Sequence, residues 1–280
     1  MTEQLRLFLV ALQFYTRIPV TGALARFADF TPQRLAHGTR WFTLVGGIVG
    51  LVTAVVFAAA SLVLPQSVAV LLAMAAGLLT TGAFHEDGFA DFCDGFGTHS
   101  DRVRTLAIMR DSRIGTYGAV GIAMLLAGRF ETLSLLDPSW VGMALVSSAM
   151  GSRACAVLVM VSLPYARDEA DAKAKPIAVG VRRSDAAIAV GLTLAVIGWI
   201  ASWTGEWLAF GWAAGLGLAV TAWLRRGMRR RLGGYTGDCL GAVQQAAELA
   251  MLLGLLAVLY ASGAGVGNEI VVDPAPDADH

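Results

Sequence analysis

Seven long apolar stretches constrain the fold of this chain more than any other feature of its sequence. They cover residues 41–64, 66–84, 118–136, 139–163, 186–204, 206–224 and 242–263. Each is long enough to cross a bilayer as a helix, which takes roughly 17–25 mostly apolar residues. In composition, 56% of the 280 residues are hydrophobic and 15% are charged, whereas soluble domains are about a quarter charged. The sequence therefore predicts an all-α, polytopic integral membrane protein, a bundle of about seven transmembrane helices.

The two ends of the chain differ from this bundle. The apolar run from Leu5 to Tyr15 is too short to span, and Arg17 and Pro19 follow it directly, so we expect an N-terminal segment that lies along the membrane interface. Residues 1–263 are predicted to form a single membrane-embedded domain. Residues 264–280 are rich in Gly, Asp and Pro and are predicted to be a disordered acidic tail.

The positive charges fall on one side of a seven-span arrangement. Five Lys or Arg residues lie in each of 1–40, 164–185 and 225–241, four lie in 85–117, and the short turns and the tail carry none. Because cytoplasmic loops are enriched in Lys and Arg, we expect the N-terminus and the polar loops in the cytoplasm and the C-terminus outside. The formal net charge is zero, which indicates no nucleic-acid partner.

An acidic segment, His85 to Gly95, follows the second apolar stretch. Its aspartates, Asp87, Asp91 and Asp94, are spaced i, i+4, i+7, which places all three carboxylates on one helical face. Neighbouring carboxylates repel one another, and a hard divalent cation such as Mg²⁺ offsets that repulsion with oxygen ligands. We therefore predict that these three residues bind Mg²⁺; the alternative is a solvated acidic helix end.

Two further polar patches contain residues that suit phosphate binding. Arg110, Ser112 and Arg113 precede the third stretch, and arginine forks match phosphate oxygens, although juxtamembrane arginines are also expected from topology alone. Thr236 and Asp238 lie in a glycine-rich patch before the last stretch. The glycines let the backbone approach a ligand closely, whereas the alternative is that Asp238 simply caps the helix.

Charged residues inside the apolar stretches need partners, because a charge at midplane costs at least ~2.5 kcal/mol. Arg129 and Arg153 lie near the middle of stretches three and four, with Glu131 close by. Two interpretations remain open, a buried Arg153–Glu131 pair and a basic cavity for an anionic substrate. Polar residues near the start of the last stretch are expected to face the bundle interior; these are Gln244, Gln245 and Glu248.

A carboxylate metal site beside arginines at one membrane surface suits phosphoryl or nucleotidyl transfer, which needs charge neutralised on phosphate oxygens and reactants held in line. Membrane phosphotransferases of the CDP-alcohol type are one alternative, but the Ala-Arg and the long gap of their motif are missing here. A small polytopic transporter is the non-enzyme alternative; against it, the polar residues concentrate at one surface instead of near midplane.

The sequence resembles the cobalamin synthase family, the adenosylcobinamide-GDP ribazoletransferases, over nearly its whole length to about residue 263. The resemblance rests on Phe14–Val20, His85–Gly95, Ile108–Gly118 and Gly233–Gly241, in this order. It implies a Mg²⁺-dependent, multi-pass transferase of the bacterial inner membrane that acts late in vitamin B12 assembly. The resemblance further implies that the 3′-hydroxyl of α-ribazole, or of its 5′-phosphate, attacks the cobinamide-side phosphorus of adenosylcobinamide-GDP and releases GMP.

The resemblance also implies roles for particular residues. Asp87, Asp91 and Asp94 are the expected metal ligands and catalytic carboxylates, and either His85 or an unligated aspartate oxygen takes the proton of the attacking hydroxyl. The expected phosphate- or substrate-binding residues are Arg17, Arg110, Ser112, Arg113, Thr236 and Asp238. The expected partners are the corrinoid nucleotide, α-ribazole and the lipid bilayer; a homo-oligomer or an association with other late corrinoid-pathway enzymes remains open.

Overall fold

The computed structural model describes residues 2–166 and 180–264, and within them the chain forms helices and no β-strand. A 3₁₀ turn, Thr39–Trp41, joins α3 to α4. The helices, in chain order, are α1 (Thr2–Tyr15), α2 (Gly22–Ala28), α3 (Pro32–Gly38), α4 (Phe42–Ser61), α5 (Gln66–Thr81), α6 (Phe84–Gly97), α7 (Arg102–Ile108), α8 (Thr116–Leu135), α9 (Pro138–Ser162), α10 (Arg183–Thr204), α11 (Trp207–Leu232) and α12 (Gly237–Ser262). Of the predicted tail, residues 264–280, all but Ala264 lies outside the described residues.

Within the described part, six helical segments are long and apolar enough to cross a membrane. They are Pro32–Ser61, α8, α9, α10, α11 and α12. A seventh crossing depends on α5 and α6, which pass the same test only as a pair and meet at an angle of 89°. The prediction of a multi-pass helical membrane protein is confirmed, with six or seven spans.

The polar connections contain more helix than we expected. The acidic segment, expected as a loop whose aspartates share a helical face, is the helix α6, and it turns sharply away from α5. The basic run expected in loop 225–241 continues α11 as far as Leu232. That helix ends at Gly233, whose φ of +72° suits a glycine after a helix.

α9 and α12 form the centre of the bundle. α4 packs along α9, while α12 packs against α6, α9 and α11. Glycines allow α4 and α9 to approach closely, since a Cβ at Gly50 of α4 would lie only 2.7 Å from the Cα of Val146 of α9. α8 packs on α6, α12 and α5. Its N-terminus therefore lies beside the acidic helix α6.

The N-terminal helices cover one end of the bundle. α1 packs on α3 and α2, and its buried face includes Leu7, Val10 and Tyr15. Asp185, at the start of α10, is fully buried; its Oδ1 accepts a hydrogen bond of 2.9 Å from Nε of Arg40, and its Oδ2 lies 3.0 Å from Nδ1 of His37. These contacts fasten the segment before α4 to α10.

Candidate active site

The bend between α5 and α6 depends on two residues with left-handed backbone conformations. Gly82 has φ +69° and Ala83 has φ +55°. A Cβ at Gly82 would collide with the guanidinium of Arg17, whose backbone N–H also donates to the carbonyl of Thr80 at 2.7 Å. Arg17, expected to bind substrate, thus lies against the bend immediately before the acidic helix.

The helix α6 places its aspartates on one face, as predicted, but in different surroundings. Asp87 is exposed and Asp91 is half-buried. Asp94 is buried, and its two carboxylate oxygens accept hydrogen bonds from the backbone N–H groups of Gly115, at 2.7 Å, and Gly118, at 2.8 Å. Because those amides are unpaired donors at the start of α8, Asp94 caps that helix, while Asp87 and Asp91 remain nearer to solvent.

The first turn of α12 lies against α6 with almost no space between the backbones. A Cβ at Gly88 would lie 3.0 Å from the Cα of Asp238, and one at Gly241 would lie 2.8 Å from the carbonyl oxygen of His85. Thr236 is buried and is the N-cap of α12, since its hydroxyl accepts from the N–H of Cys239 at 3.3 Å. Thr236, and not Asp238 as the capping alternative had it, is therefore the N-cap, and Asp238 is brought beside the acidic helix.

The arginine loop, residues 109–115, joins α7 to α8 at the same end of the bundle. Arg110, Ser112 and Arg113 are all exposed there. Arg113 donates to Asp111, with 2.6 Å between Nη2 and Oδ2, and this guanidinium lowers the pKa of the Asp111 carboxyl to about 2. Because Asp94 binds the amides at the end of this loop, the predicted phosphate-binding arginines and the predicted metal-binding helix are neighbours.

The glycine-rich patch before α12 is held by backbone hydrogen bonds to the segment that follows α9. The N–H of Tyr235 donates to the carbonyl of Pro164 at 2.9 Å, and the N–H of Ala166 donates to the carbonyl of Tyr235 at 2.8 Å. Burial raises the pKa of the Tyr235 phenol to about 12, and the nearby Tyr165 acts in the same direction. A Cβ at Gly234 would collide with the Pro164 carbonyl, so this glycine permits close backbone packing.

Beneath α6, a set of charged and amide side chains from four helices forms what we call the interior polar cluster. Nη2 of Arg129 lies 2.6 Å from Oε1 of Glu248, and Nη1 donates to Oε1 of Gln245 at 3.0 Å. Nε2 of Gln245 in turn donates to Oε1 of Glu86 at 2.7 Å. The cluster consists of Glu86, Arg129, Ser152, Gln244, Gln245 and Glu248.

The structure corrects one interpretation of the intramembrane charges. Glu131 is exposed, so it makes no buried pair with Arg153. Arg153 instead donates to the carbonyl of Ala149 at 2.9 Å and lies over the ring of Phe42. The expectation that Gln244, Gln245 and Glu248 face the interior is confirmed. The sequence analysis did not identify Glu86 as part of this interior cluster. Its position next to Asp87 could have indicated this, because adjacent residues on a helix lie on different faces.

His85 lies in the interior and not on the carboxylate face. It is 3% exposed, its ring stacks near that of Phe42, and its Nε2 has no hydrogen-bond partner among the described residues. It lines a cavity of about 30 Å³ together with Arg129 and Arg153, enough for a water or two. Residues two apart on a helix point to nearly opposite sides, so His85 and Asp87 face different compartments.

Metal binding by three carboxylates stays a prediction, and the geometry around α6 limits how it could occur. Among residues 2–166 and 180–264, no three His, Cys, Asp or Glu side chains are grouped so that they could hold a metal ion. Asp87 and Asp91 nevertheless share a helical face one turn apart, outside the capping contact of Asp94. Two carboxylates fit Mg²⁺, which commonly binds one or two of them and completes its shell with water and substrate phosphates.

Comparison with known proteins gives a consistent result along nearly the whole chain. The family described as cobalamin-5-phosphate synthase matches residues 7–256. An adenosylcobinamide-GDP ribazoletransferase of Leptothrix cholodnii is 46% identical over 92% of this chain and 97% of its own length. Those of Shewanella frigidimarina and Vibrio parahaemolyticus are 41% and 39% identical, each over 91% of this chain and over 96% and 93% of their own lengths.

No solved structure matches the chain, so the family assignment rests on sequence. The matched region, residues 7–256, contains the bend at Gly82, the acidic helix, the arginine loop and most of α12. It also contains every residue predicted to act on substrate, from Arg17 to Asp238. This polytopic membrane protein is an enzyme that belongs to the cobalamin-5-phosphate synthase family.

Proposed function

We propose that this enzyme joins adenosylcobinamide-GDP to α-ribazole, or to α-ribazole 5′-phosphate, and releases GMP. The observation that carries the proposal is the match over residues 7–256 to a family whose curated members bear the name adenosylcobinamide-GDP ribazoletransferase. The geometry supports it, because carboxylates on α6 lie beside an exposed arginine loop. A CDP-alcohol phosphotransferase and a transporter are less suitable, since neither name occurs among these relatives.

In the proposed reaction, a ribose hydroxyl oxygen of the acceptor attacks the phosphorus that carries the cobinamide. A new P–O bond forms, the bond to the GMP oxygen breaks, and the hydroxyl proton leaves. The product is adenosylcobalamin or its 5′-phosphate. Such phosphoryl transfers depend on alignment and charge neutralisation more than on covalent work by the protein.

We assign Mg²⁺ to Asp87 and Asp91, with Asp94 fixing the start of α8 close to them. When bound, the ion neutralises negative charge on the pyrophosphate and on the departing GMP. We leave Asp94 out of the metal site because its carboxylate already accepts hydrogen bonds from the N–H groups of Gly115 and Gly118. Those bonds also fix the end of the arginine loop relative to the metal-binding carboxylates.

The remaining residues bind and orient the substrate. Arg110 and Arg113 hold phosphate oxygens from the arginine loop, where Ser112 adds a hydrogen-bond donor. Arg17 contributes from the bend at Gly82, and Asp238 closes the site from the first turn of α12, which touches α6 at Gly88.

For the proton of the attacking hydroxyl, an aspartate oxygen on the exposed face of α6 is better placed than His85. His85 is 3% exposed and lines the interior cavity, so an acceptor bound on the carboxylate face cannot reach its ring without a rearrangement of α6. The carboxylates Asp87 and Asp91 share that face and need no such movement.

The arrangement in the membrane follows from the charges. We propose that the N-terminus, α6 and the arginine loop face the cytoplasm of a bacterial inner membrane and that the C-terminus lies outside. The basic end of α11, with Arg229, Arg230 and Arg231 in its last turn, is at the same end of the bundle as α6, in agreement with the positive-inside rule.

The decisive experiment measures GMP release by the purified protein in liposomes supplied with adenosylcobinamide-GDP and α-ribazole 5′-phosphate. We expect release to require the acceptor and Mg²⁺, and to be lost in Asp87→Asn and Asp91→Asn. Glu131→Gln is the matched control, because Glu131 is an exposed carboxylate away from α6. Release without added Mg²⁺ in the presence of a chelator, or full activity of both aspartate variants, would overturn the metal assignment.

A further inference from the structure

A second pocket lies on the surface of the bundle, between the end of α6 and the end of α11. It is a pocket of about 280 Å³, close to the lower limit of small-ligand sites at about 300 Å³. One wall is aromatic and comes from α6, and the other carries two arginines and a tryptophan from α11. Its lining is Phe92, Phe96, Trp223, Leu224, Arg226, Gly227 and Arg230. We call it the α6–α11 pocket.

The basic run of α11 divides into arginines that hold the protein together and arginines that do not. Arg225 donates to the hydroxyl of Ser162 at 2.8 Å, and Arg231 donates to the carbonyl of Phe96 at 2.9 Å. Arg226 and Arg230 line the pocket, are exposed, and make no hydrogen bond or ion pair with any residue in the described part of the chain. One helical turn apart, they present two cations to the same space.

The depth of the pocket in the bilayer follows from the tryptophans of α11. Three tryptophans of α11 are exposed: Trp207 and Trp212, at 59% and 56%, near its start, and Trp223, at 73%, in its second half. At 1.5 Å per residue, Trp207 and Trp223 lie about 24 Å apart along the helix axis. Exposed tryptophans mark the two membrane interfaces, and this separation is close to the ~30 Å hydrocarbon core. Arg226 and Arg230 therefore lie just beyond the hydrocarbon edge, at the level of the lipid phosphates.

We propose that the α6–α11 pocket binds the headgroup of an anionic membrane phospholipid. Arg226 and Arg230 hold the phosphodiester oxygens, and Trp223 packs beside the glycerol and the start of the acyl chains. The exposed tryptophan at the hydrocarbon edge favours a lipid over a soluble phosphate, which would have no apolar part to place there. Charge complementarity selects an anionic lipid over a zwitterionic one.

The bound lipid contacts the helix that carries the carboxylates. Phe92 and Phe96 stack on each other, with 4.1 Å between ring centroids, and both belong to α6. A lipid in the pocket thereby restrains the C-terminal half of α6, while Arg231 holds its final carbonyls. If the proposed function is correct, anionic lipid raises turnover through this contact; the binding itself is independent of it.

The test compares lipid binding by the full-length protein in detergent, using native mass spectrometry with phosphatidylglycerol and phosphatidylcholine of identical acyl chains. Each basic residue near a membrane surface contributes about 1 kcal/mol, so Arg226→Gln/Arg230→Gln should weaken the preference for phosphatidylglycerol by about 30-fold. Gly227→Leu should weaken it without removing charge, because its side chain enters the pocket; a Cβ there would be 3.9 Å from Phe96, so the helix packing tolerates it.

Arg229→Gln is the matched control, since Arg229 is exposed in the same run but does not line the pocket; it should keep the preference. Equal losses in Arg229→Gln and the double variant would overturn the proposal in favour of a diffuse charge effect, as would an unchanged preference in Gly227→Leu. Displacement of phosphatidylglycerol by millimolar GMP would assign the pocket to soluble phosphates instead. Because binding is measured without substrate, these outcomes do not depend on the proposed reaction.

Discussion

Arg129 and Glu248 form an ion pair inside the helical bundle, with 2.6 Å between Nη2 and Oε1. The pair joins α8 to α12, and both side chains are largely buried. Through Gln245, which accepts from Arg129 and donates to Glu86, the same contacts reach the N-terminal turn of α6. The position of the acidic helix is therefore coupled to an interaction well away from its carboxylates.

Removing one member of this pair should destabilise the protein strongly. Arg129→Gln leaves Glu248 as a buried charge without its partner, and breaking such a pair costs about 3–5 kcal/mol. Glu248→Gln should have a similar effect for the same reason. We expect thermal unfolding in detergent to show a clearly lower midpoint in both variants and turnover to fall because α6 loses its support.

The double variant Arg129→Gln/Glu248→Gln separates pairing from packing. It leaves no unpaired charge, so we expect it to recover part of the lost stability relative to either single variant. Glu131→Gln, which changes an exposed carboxylate on the same helix, should leave the midpoint unchanged. Strictly additive losses in the double variant would show that Arg129 and Glu248 do not interact.

The partners of Arg129 illustrate what sequence could and could not predict. The prediction that a charge within an apolar stretch has a buried partner is correct for Arg129. The prediction that polar residues near the start of the last stretch face the interior is correct as well. Of the two open interpretations, the Arg153–Glu131 pair was wrong, because nearness in sequence does not give nearness in a bundle. Glu248 is more than a hundred positions from Arg129, and only helix packing brings the two together.

The acidic helix shows the same limit at the candidate site. The i, i+4, i+7 spacing correctly predicted a shared helical face for the aspartates. It could not separate Asp94 from Asp87, because the amides that surround Asp94 belong to α8. The sharp bend before α6 was also missed, since Ala83 carries no turn signal although its φ is +55°.

Asp94 and Asp87 should respond differently to the same chemical change. Asp94→Asn replaces a capping carboxylate that accepts from two amides, so we expect a loss of about 1–2 kcal/mol in stability. Asp87→Asn changes an exposed side chain and should leave stability unchanged while abolishing GMP release. Unfolding midpoints and single-turnover rates, measured side by side, test this. A fully stable Asp94→Asn would contradict the capping role of Asp94, and a destabilised Asp87→Asn would contradict a purely functional role for Asp87.

The bend at Gly82 should be sensitive to a single methyl group. Gly82→Ala forces a non-glycine residue to φ +69° and drives a Cβ into the guanidinium of Arg17. Gly205 is the matched control: its φ is +80°, but nothing lies within 4 Å of a Cβ there. Gly205→Ala should lose only the backbone strain, about 1–2 kcal/mol, and keep its turnover. Gly82→Ala should lose more stability and turnover; equal behaviour of the two variants would show that the Arg17 contact contributes nothing.

The pair of Asp111 and Arg113 gives a prediction that depends on pH. Arg113 lowers the pKa of Asp111 to about 2 from an ordinary value of 3.8. A carboxyl whose pKa is lower in the folded protein stabilises it above the ordinary pKa and loses that contribution as the pH falls towards the lowered value. The pair should therefore be intact from about pH 5 to pH 8 and should disappear only between about pH 4 and pH 2.

Because both side chains are exposed, with 86% of Arg113 accessible, a substrate phosphate can compete with Asp111 for the guanidinium. We expect Arg113→Gln to raise KM for adenosylcobinamide-GDP several-fold and Asp111→Asn to lower it, with kcat little changed in either variant. Steady-state GMP release near neutral pH measures both, and an NMR titration of Asp111 should show its pKa returning towards 3.8 in Arg113→Gln. An unchanged KM in Arg113→Gln would mean that this arginine helps to set the orientation of the protein in the membrane and does not bind phosphate.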